Sequence, residues 1–155
     1  MIEPVTHDAG EICSRIVVVV ERRTPLLDAA RRMREEHVGC LVVVDASACG
    51  RKVAGMLTDR DIVTAVVARG VPPEMLRVED VMTAEVVTVT TSTPFAELLA
   101  TMRRRGLRRL PVVDAQGALQ GLVTLDDVLE VLAEHMRTLA QAIDVQQQRE
   151  RKTRR

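Results

Sequence analysis

The chain repeats itself. Thr24-Pro25 recurs as Thr93-Pro94, Met33 as Met102, and Val43-Val44-Asp45 as Val112-Val113-Asp114, all at one offset of 69 residues. Upstream, Ile12-Cys13-Ser14 falls on Val81-Met82-Thr83, which matches it in character. Downstream the offset drops to 66, because the first copy carries a loop three residues longer around Ser47–Lys52. Gly55-Met56-Leu57-Thr58-Asp59-Arg60-Asp61 then falls on Gly121-Leu122-Val123-Thr124-Leu125-Asp126-Asp127. A length change confined to a loop is what a duplicated fold tolerates. A unit of about 60 residues is marginal on its own, so the two copies must bury surface against each other.

Each copy has the same order of elements. A β-branched run (Ile16–Val20, Val86–Val89) precedes a Thr-Pro pair suited to a helix start. Apolar residues then recur at helical spacing: Leu26, Ala29, Ala30, Met33 and His37 in one copy, Phe95, Leu98, Leu99 and Met102 in the other. Two hairpins follow, Cys40–Asp45 with Val53–Leu57 and Arg109–Asp114 with Ala118–Val123. A second helix closes each unit, over Asp59–Arg69 and from Leu125 to about Gln148, and Val71-Pro72-Pro73 breaks the first of these. The pattern predicts a mixed α/β (α+β) fold of two β-α-β-β-α repeats packed sheet to sheet about a pseudo-twofold axis. The expected division is an N-terminal segment (1–11), repeat 1 (12–70), a linker (71–80), repeat 2 (81–140), and a helix end with a basic tail (141–155).

Composition narrows the function classes. The 46% hydrophobic content fills a core, yet the chain has one Phe and no Tyr or Trp. This weakens any reading as a single-stranded nucleic-acid platform built on aromatic stacking. Formal net charge is zero, but residues 149–155 sum to +4 and the rest to −4. A short basic end reads as a solvated terminus before it reads as a polyanion site, so nucleic-acid binding is not expected. No apolar run approaches the roughly 20 residues of a membrane span, and Met1–Gly10 is polar and acidic rather than signal-like, so a cytoplasmic address is expected. Cys13, Cys40 and Cys49 have no CxxC spacing, and His7, His37 and His135 are scattered, so no metal site is indicated. His37 lies at a helix end and reads as structural. No Ser-His-Asp or Cys-His set can be assembled, and Asp126-Asp127 and Asp59 with Asp61 sit on helix starts rather than facing each other. No catalytic residues are expected.

The motif Gly-x-x-Thr-x-x-Asp occurs twice, as Gly55, Thr58, Asp61 and as Gly121, Thr124, Asp127, each where a strand gives way to a helix. It supports two readings. Thr at the N-cap with an acid three residues on is a plain capping arrangement. Alternatively Gly lets backbone approach a ligand, the helix start offers N–H groups to phosphate, and the carboxylate accepts hydrogen bonds from a ribose diol.

Both motif copies, together with Val81-Met82-Thr83 and Leu110-Pro111-Val112-Val113-Asp114, resemble a tandem pair of cystathionine β-synthase (CBS) domains, from about Ile12 to Leu132. The resemblance implies a regulatory, non-catalytic module, commonly a homodimer. Its two pseudo-twofold clefts would hold AMP, ADP, ATP or an S-adenosylmethionine-like molecule as a regulatory ligand, with no required cofactor. It assigns ribose and phosphate contacts to Thr58, Asp61, Thr124 and Asp127, and base contacts to Val38 and Leu107. Thr83 and Val87 match positions at a pocket edge, as do Ser14 and Val18. Arg108-Arg109 in the second copy stands where the first has Gly39-Cys40, so the clefts are expected to differ, with Arg108 a candidate phosphate partner or a solvated charge. The same pattern sets Cys13 and Cys40 near a pocket, buried and reduced or joined in a regulatory disulfide. The competing reading is a scaffold that dimerises and docks an unknown protein partner without nucleotide.

Overall fold

The structure, a computed structural model, describes residues 7–153; residues 1–6 of the expected N-terminal segment and 154–155 of the expected tail lie outside it. Repeat 1 comprises β1 (Val19–Glu21), α2 (Leu26–Glu35), β2 (Cys40–Ser47), β3 (Gly50–Thr58) and α3 (Asp59–Ile62). Repeat 2 comprises β4 (Val89–Thr90), α5 (Phe95–Arg105), β5 (Arg109–Val113), β6 (Leu119–Thr124) and α6 (Leu125–Thr153). Two short helices, α1 (Ala9–Ile12) and α4 (Val78–Val81), precede the repeats at matching positions. Each repeat forms a three-stranded sheet, β1-β2-β3 or β4-β5-β6, with the first pair parallel and the second antiparallel. Even the irregularities repeat: the register shifts between Val43 and Val44 in one sheet and between Val112 and Val113 in the other.

The buried faces follow from strand alternation. Leu41 and Val43 of β2 join Leu26, Ala29 and Met33 of α2 in the first core, while Leu110 and Val112 of β5 join Phe95, Leu98 and Met102 of α5 in the second. Val42 and Val44 point to the other side of β2 and are equally buried, as expected of a strand covered on both faces. The sheets meet where β3 approaches β6, with a bridge between Lys52 and Ala118.

The connecting segments change sides. Helix α1 does not cover its own repeat: Ala9 N donates to Thr93 O, Gly10 N donates to Thr91 O, and Ala9 and Cys13 belong to the core of repeat 2. Conversely, Val78 of α4 is buried in the core of repeat 1, and Val78 N donates to Thr24 O. The exchange continues into the sheets. Thr83 bridges Met56 through paired backbone hydrogen bonds of 2.9 Å, and Ser14 bridges Leu122 through a pair of 3.0 Å.

This exchange explains the motif glycines, and it corrects the ligand reading of them. A Cβ on Gly55 would lie 2.7 Å from the carbonyl oxygen of Thr83 and 2.8 Å from Sδ of Met82. On Gly121 it would lie 2.6 Å from Sγ of Cys13 and 2.7 Å from the carbonyl oxygen of Ser14. Each glycine makes room for the crossing segment of the other repeat.

Other expectations also change. The first strands are shorter than the β-branched runs suggest: Ile16 is 91% exposed, because residues 14–18 and 83–87 serve the crossing before any ladder begins. Pro25 and Pro94 are N-caps rather than first helical residues. The hairpin of repeat 1 extends to Ser47 paired with Gly50, so its extra residues lengthen the strands. Helix α3 continues as a π-helical turn over Val63–Val67, whose wider bonds include Ala68 N to Val63 O. Helix α6 runs to Thr153, past the expected end near Gln148. His37 has φ of 54° and occupies the same place as Gly106 (φ 62°), ending its helix in a left-handed residue; its structural role stands.

Gly55→Ala and Gly121→Ala are each expected to cost about 1–3 kcal/mol, because a fixed backbone oxygen must move. The corresponding fall in Tm, on the order of 2–10 °C, is read by far-UV circular dichroism. An unchanged Tm in both would contradict the close-approach role.

Candidate ligand cleft between the repeats

The crossing brings residues of both repeats around one cleft. Its lining is Met56, Thr58 and Asp61 from repeat 1, and Thr83, Glu85, Val86, Val87, Leu107, Arg108 and Arg109 from repeat 2 or its leading segment. The cavity is about 220 Å³ and open to solvent.

Thr58 and Asp61 first serve as a cap. Asp61 Oδ2 accepts from Thr58 N and from Thr58 Oγ1, both at 2.8 Å, and Asp61 N donates to Thr58 Oγ1 at 3.2 Å. The same box forms at α6: Asp127 Oδ2 accepts from Thr124 N at 2.7 Å and from Thr124 Oγ1 at 2.8 Å. The capping reading is therefore correct for both motifs. It leaves room for the other one, since a carboxylate has about four acceptor sites and the cap uses only Oδ2. Asp61 Oδ1 has no protein partner among the described residues and belongs to a side chain that lines the cleft.

Around this carboxylate the cleft has an aliphatic wall and a cationic rim. Val86, Val87, Leu107 and Met56 supply the wall. Leu107 is held by its N–H to Met102 O at 3.0 Å and packs against the core of repeat 2. Arg108 is anchored through its carbonyl, which accepts from Leu125 N at 2.9 Å, while its side chain and that of Arg109 are exposed. Two arginines, Arg108 and Arg109, and two acidic residues, Asp61 and Glu85, thus line one opening.

The structure therefore gathers Thr58, Asp61, Thr83, Val87, Leu107 and Arg108 in one place. The remaining expected residues do not line this cleft but hold the matching places on the other side of the pseudo-twofold. Ser14 is bridged to Leu122, Val18 and Val38 pack against the core of repeat 1, and Thr124 and Asp127 form the second cap. Asp127 also borders a depression of about 490 Å³ with His7, Glu11, Glu130, Glu134 and Arg137, where four carboxylates face one guanidinium. That depression includes none of Ser14, Val18, Val38, Gly39 and Cys40 and is not the counterpart of the cleft around Asp61; at the counterpart positions Gly39-Cys40 stand where the cleft has Arg108-Arg109. Sequence reasoning missed Met56, Glu85 and Val86. Their signal was position, next to Gly55 in the motif and between Thr83 and Val87.

The cysteines are free. Cys13 packs against Gly121 in the core of repeat 2, and burial raises its pKa despite the opposing charge of Arg15. Cys40 pairs with Thr58 across β2 and β3, and burial pushes its pKa up to about 11, with Arg109 opposing. Among the described residues no group of three or more His, Cys, Asp or Glu is placed to hold a metal, and no helix is long and apolar enough to cross a membrane.

Comparison with known proteins settles the family. The model of the CBS domain matches twice, over residues 9–68 and 78–134. The chain belongs to the CBS domain family. An uncharacterised protein of Methanopyrus kandleri is 34% identical over 122 residues, covering 79% of this chain and 61% of that protein, so the chain spans under two thirds of that relative. Hypoxic response protein 1 of Mycobacterium tuberculosis is 33% identical over 129 residues, covering 82% of this chain and 86% of it. Among solved structures, a signal-transduction protein with CBS domains from Burkholderia ambifaria superposes with a TM-score of 0.67 at 34% identity, covering 76% of this chain and 83% of that one. The cytosolic domain of the Mg2+ channel MgtE in complex with ATP gives 0.68 at 31% identity, covering 81% and 48%. Tandem CBS domains of this kind are generally regulatory modules and non-catalytic.

The raised thiol makes a pH prediction. Because the folded pKa of Cys40 lies above its ordinary value of 9.0, the stability tied to the buried neutral thiol is whole below pH 9 and is lost as pH rises through about 11. Alkylation mapped by mass spectrometry at pH 8 should modify exposed Cys49 quickly and Cys40 at least tenfold more slowly. The Cys40 rate should climb steeply as pH approaches 11. Equal rates at pH 8 would contradict the burial argument.

Proposed function

We propose that this CBS pair is a ligand sensor that binds an adenosyl nucleotide in the cleft between its repeats, with Asp61 on the ribose and Arg108 and Arg109 on phosphate. The observation that carries the reading is the shared cleft, lined by an acidic residue with a carboxylate oxygen left open by its cap, an aliphatic wall and two arginines. A ribose diol donates two hydrogen bonds, which suits a carboxylate acceptor. The base lies against Val87, Leu107 and Met56, held by apolar contact in a cleft without aromatic residues. Thr58 and Thr83 add hydroxyls at the edge. Glu85 opposes accumulation of further negative charge, which favours one or two phosphates over three.

Size links binding to signalling. A cavity of about 220 Å³ is smaller than the roughly 300–1,000 Å³ typical of ligand pockets. The cleft is open to solvent and its two sides belong to different repeats, so a nucleotide that parts them changes how the repeats pack. Ligand control then follows from a difference in affinity between the narrow and the wide arrangement. The solved neighbour crystallised with ATP supports a nucleotide as the ligand class. On the second side, Thr124, Asp127, Ser14, Val18 and Val38 form a weaker site or none, because no arginine stands at Gly39 or Cys40.

Isothermal titration with AMP, ADP, ATP and S-adenosylmethionine tests this. Asp61→Asn, which keeps the cap geometry, is expected to weaken binding about tenfold or more, the equivalent of one charge-assisted hydrogen bond. Arg108→Ala should weaken the phosphate-bearing ligands about 10- to 100-fold and S-adenosylmethionine far less. Asp127→Asn should leave the stronger site unchanged. No binding of any of these ligands overturns the sensor reading in favour of a partner-docking scaffold.

A further inference from the structure

Helix α6 is longer than the fold requires. The body uses its first turns, where Val128 is buried and Leu125 and Val131 pack against the core of repeat 2. From Met136 to Lys152 every residue is exposed. That is a stretch of nearly five turns with no packing among the described residues, although most helical stability in proteins comes from packing an apolar face. Its apolar residues are nevertheless ordered along one face. Leu129, Leu132, Met136, Leu139 and Ile143 are spaced 3, 4, 3 and 4 residues apart and are 37–70% exposed. This is the a/d pattern of a coiled coil, with the 3.5-residue period that keeps one seam facing a partner helix. Ala133, Ala140 and Ala142 flank the seam and let a second helix approach closely.

We propose that this seam is covered by the same helix of a second copy of the chain, running antiparallel. Charge decides both the occupant and the direction. Residues 125–134 carry Asp126, Asp127, Glu130 and Glu134 with no Lys or Arg, whereas residues 149–155 sum to +4. About an axis midway between Met136 and Leu139, an antiparallel pair sets Arg149 against Asp126 of the second copy and brings Arg151 and Lys152 to the start of its helix, while a parallel pair stacks Asp126, Asp127, Glu130 and Glu134 against their own kind. The seam is self-complementary in that direction. With the axis midway between Met136 and Leu139, Met136 meets Leu139 of the second copy, and Leu132 meets Ile143. The seam lies outside the nucleotide cleft, and the proposal does not depend on a ligand.

Full-length chains carrying Cys49→Ser remove the exposed thiol, leaving Cys13 and Cys40 buried. Leu132→Cys and Ile143→Cys versions are mixed one to one and oxidised mildly. The antiparallel seam predicts that more than half of the disulfide-linked product is the mixed dimer. Two Ile143→Cys sites stand 11 residues apart along the antiparallel pair, roughly 16 Å, too far to bridge. Adding Met136→Glu with Leu139→Glu should abolish the cross-link while the body keeps its cooperative thermal transition. Predominant Ile143→Cys homodimers, a yield no higher than that of the outward-facing control Glu134→Cys, or a cross-link that survives the two glutamates each overturn the proposal.

Discussion

The structure depends on the exchange of two short segments between the repeats. Each repeat leaves one strand open at a glycine, and the chain leading into the other repeat fills that place within van der Waals contact of the missing Cβ. Neither unit completes its core without its neighbour's lead: Ala9 and Cys13 are built into repeat 2, and Val78 into repeat 1. Folding of one half is thereby tied to the presence of the other, which resolves the marginal stability of a 60-residue unit.

The cleft is a by-product of that exchange. Thr83 pairs with Met56, and this contact draws residues 85–87 of the second repeat's leading segment alongside Thr58 and Asp61 of the first. The cap that starts α3 holds Asp61 through Oδ2 and leaves Oδ1 without a protein partner among the described residues, so a residue that caps the helix also offers an acceptor to the cleft it lines. The copies differ at the matching places: arginines stand at 108 and 109, where repeat 1 has Gly39 and the buried Cys40.

Much of this was legible in the sequence, because duplication makes a weak signal count twice. The hairpins, the long helices and the Thr-x-x-Asp caps followed from hydrophobic period and from recurrence at a fixed offset. The segment exchange did not. Pairing of Ser14 with Leu122 and of Thr83 with Met56 is a long-range choice that no local propensity encodes, and for that reason the glycines were assigned to a ligand and the first strands were drawn too long. The cleft residues carried by the motif were found, whereas Glu85 and Val86 enter only through the crossing. The last turn of α6 was also missed, since Arg149–Thr153 is polar and carries no apolar period to mark it as helix.

The most direct test of a cleft shared between repeats is amide hydrogen exchange of the whole protein with and without saturating AMP. Nucleotide bound as described slows exchange in residues 58–61 and 83–87 together, segments that are distant in sequence and meet only across the cleft. Protection confined to residues 14–18 and 124–127, or absent from both pairs of segments, would contradict the account.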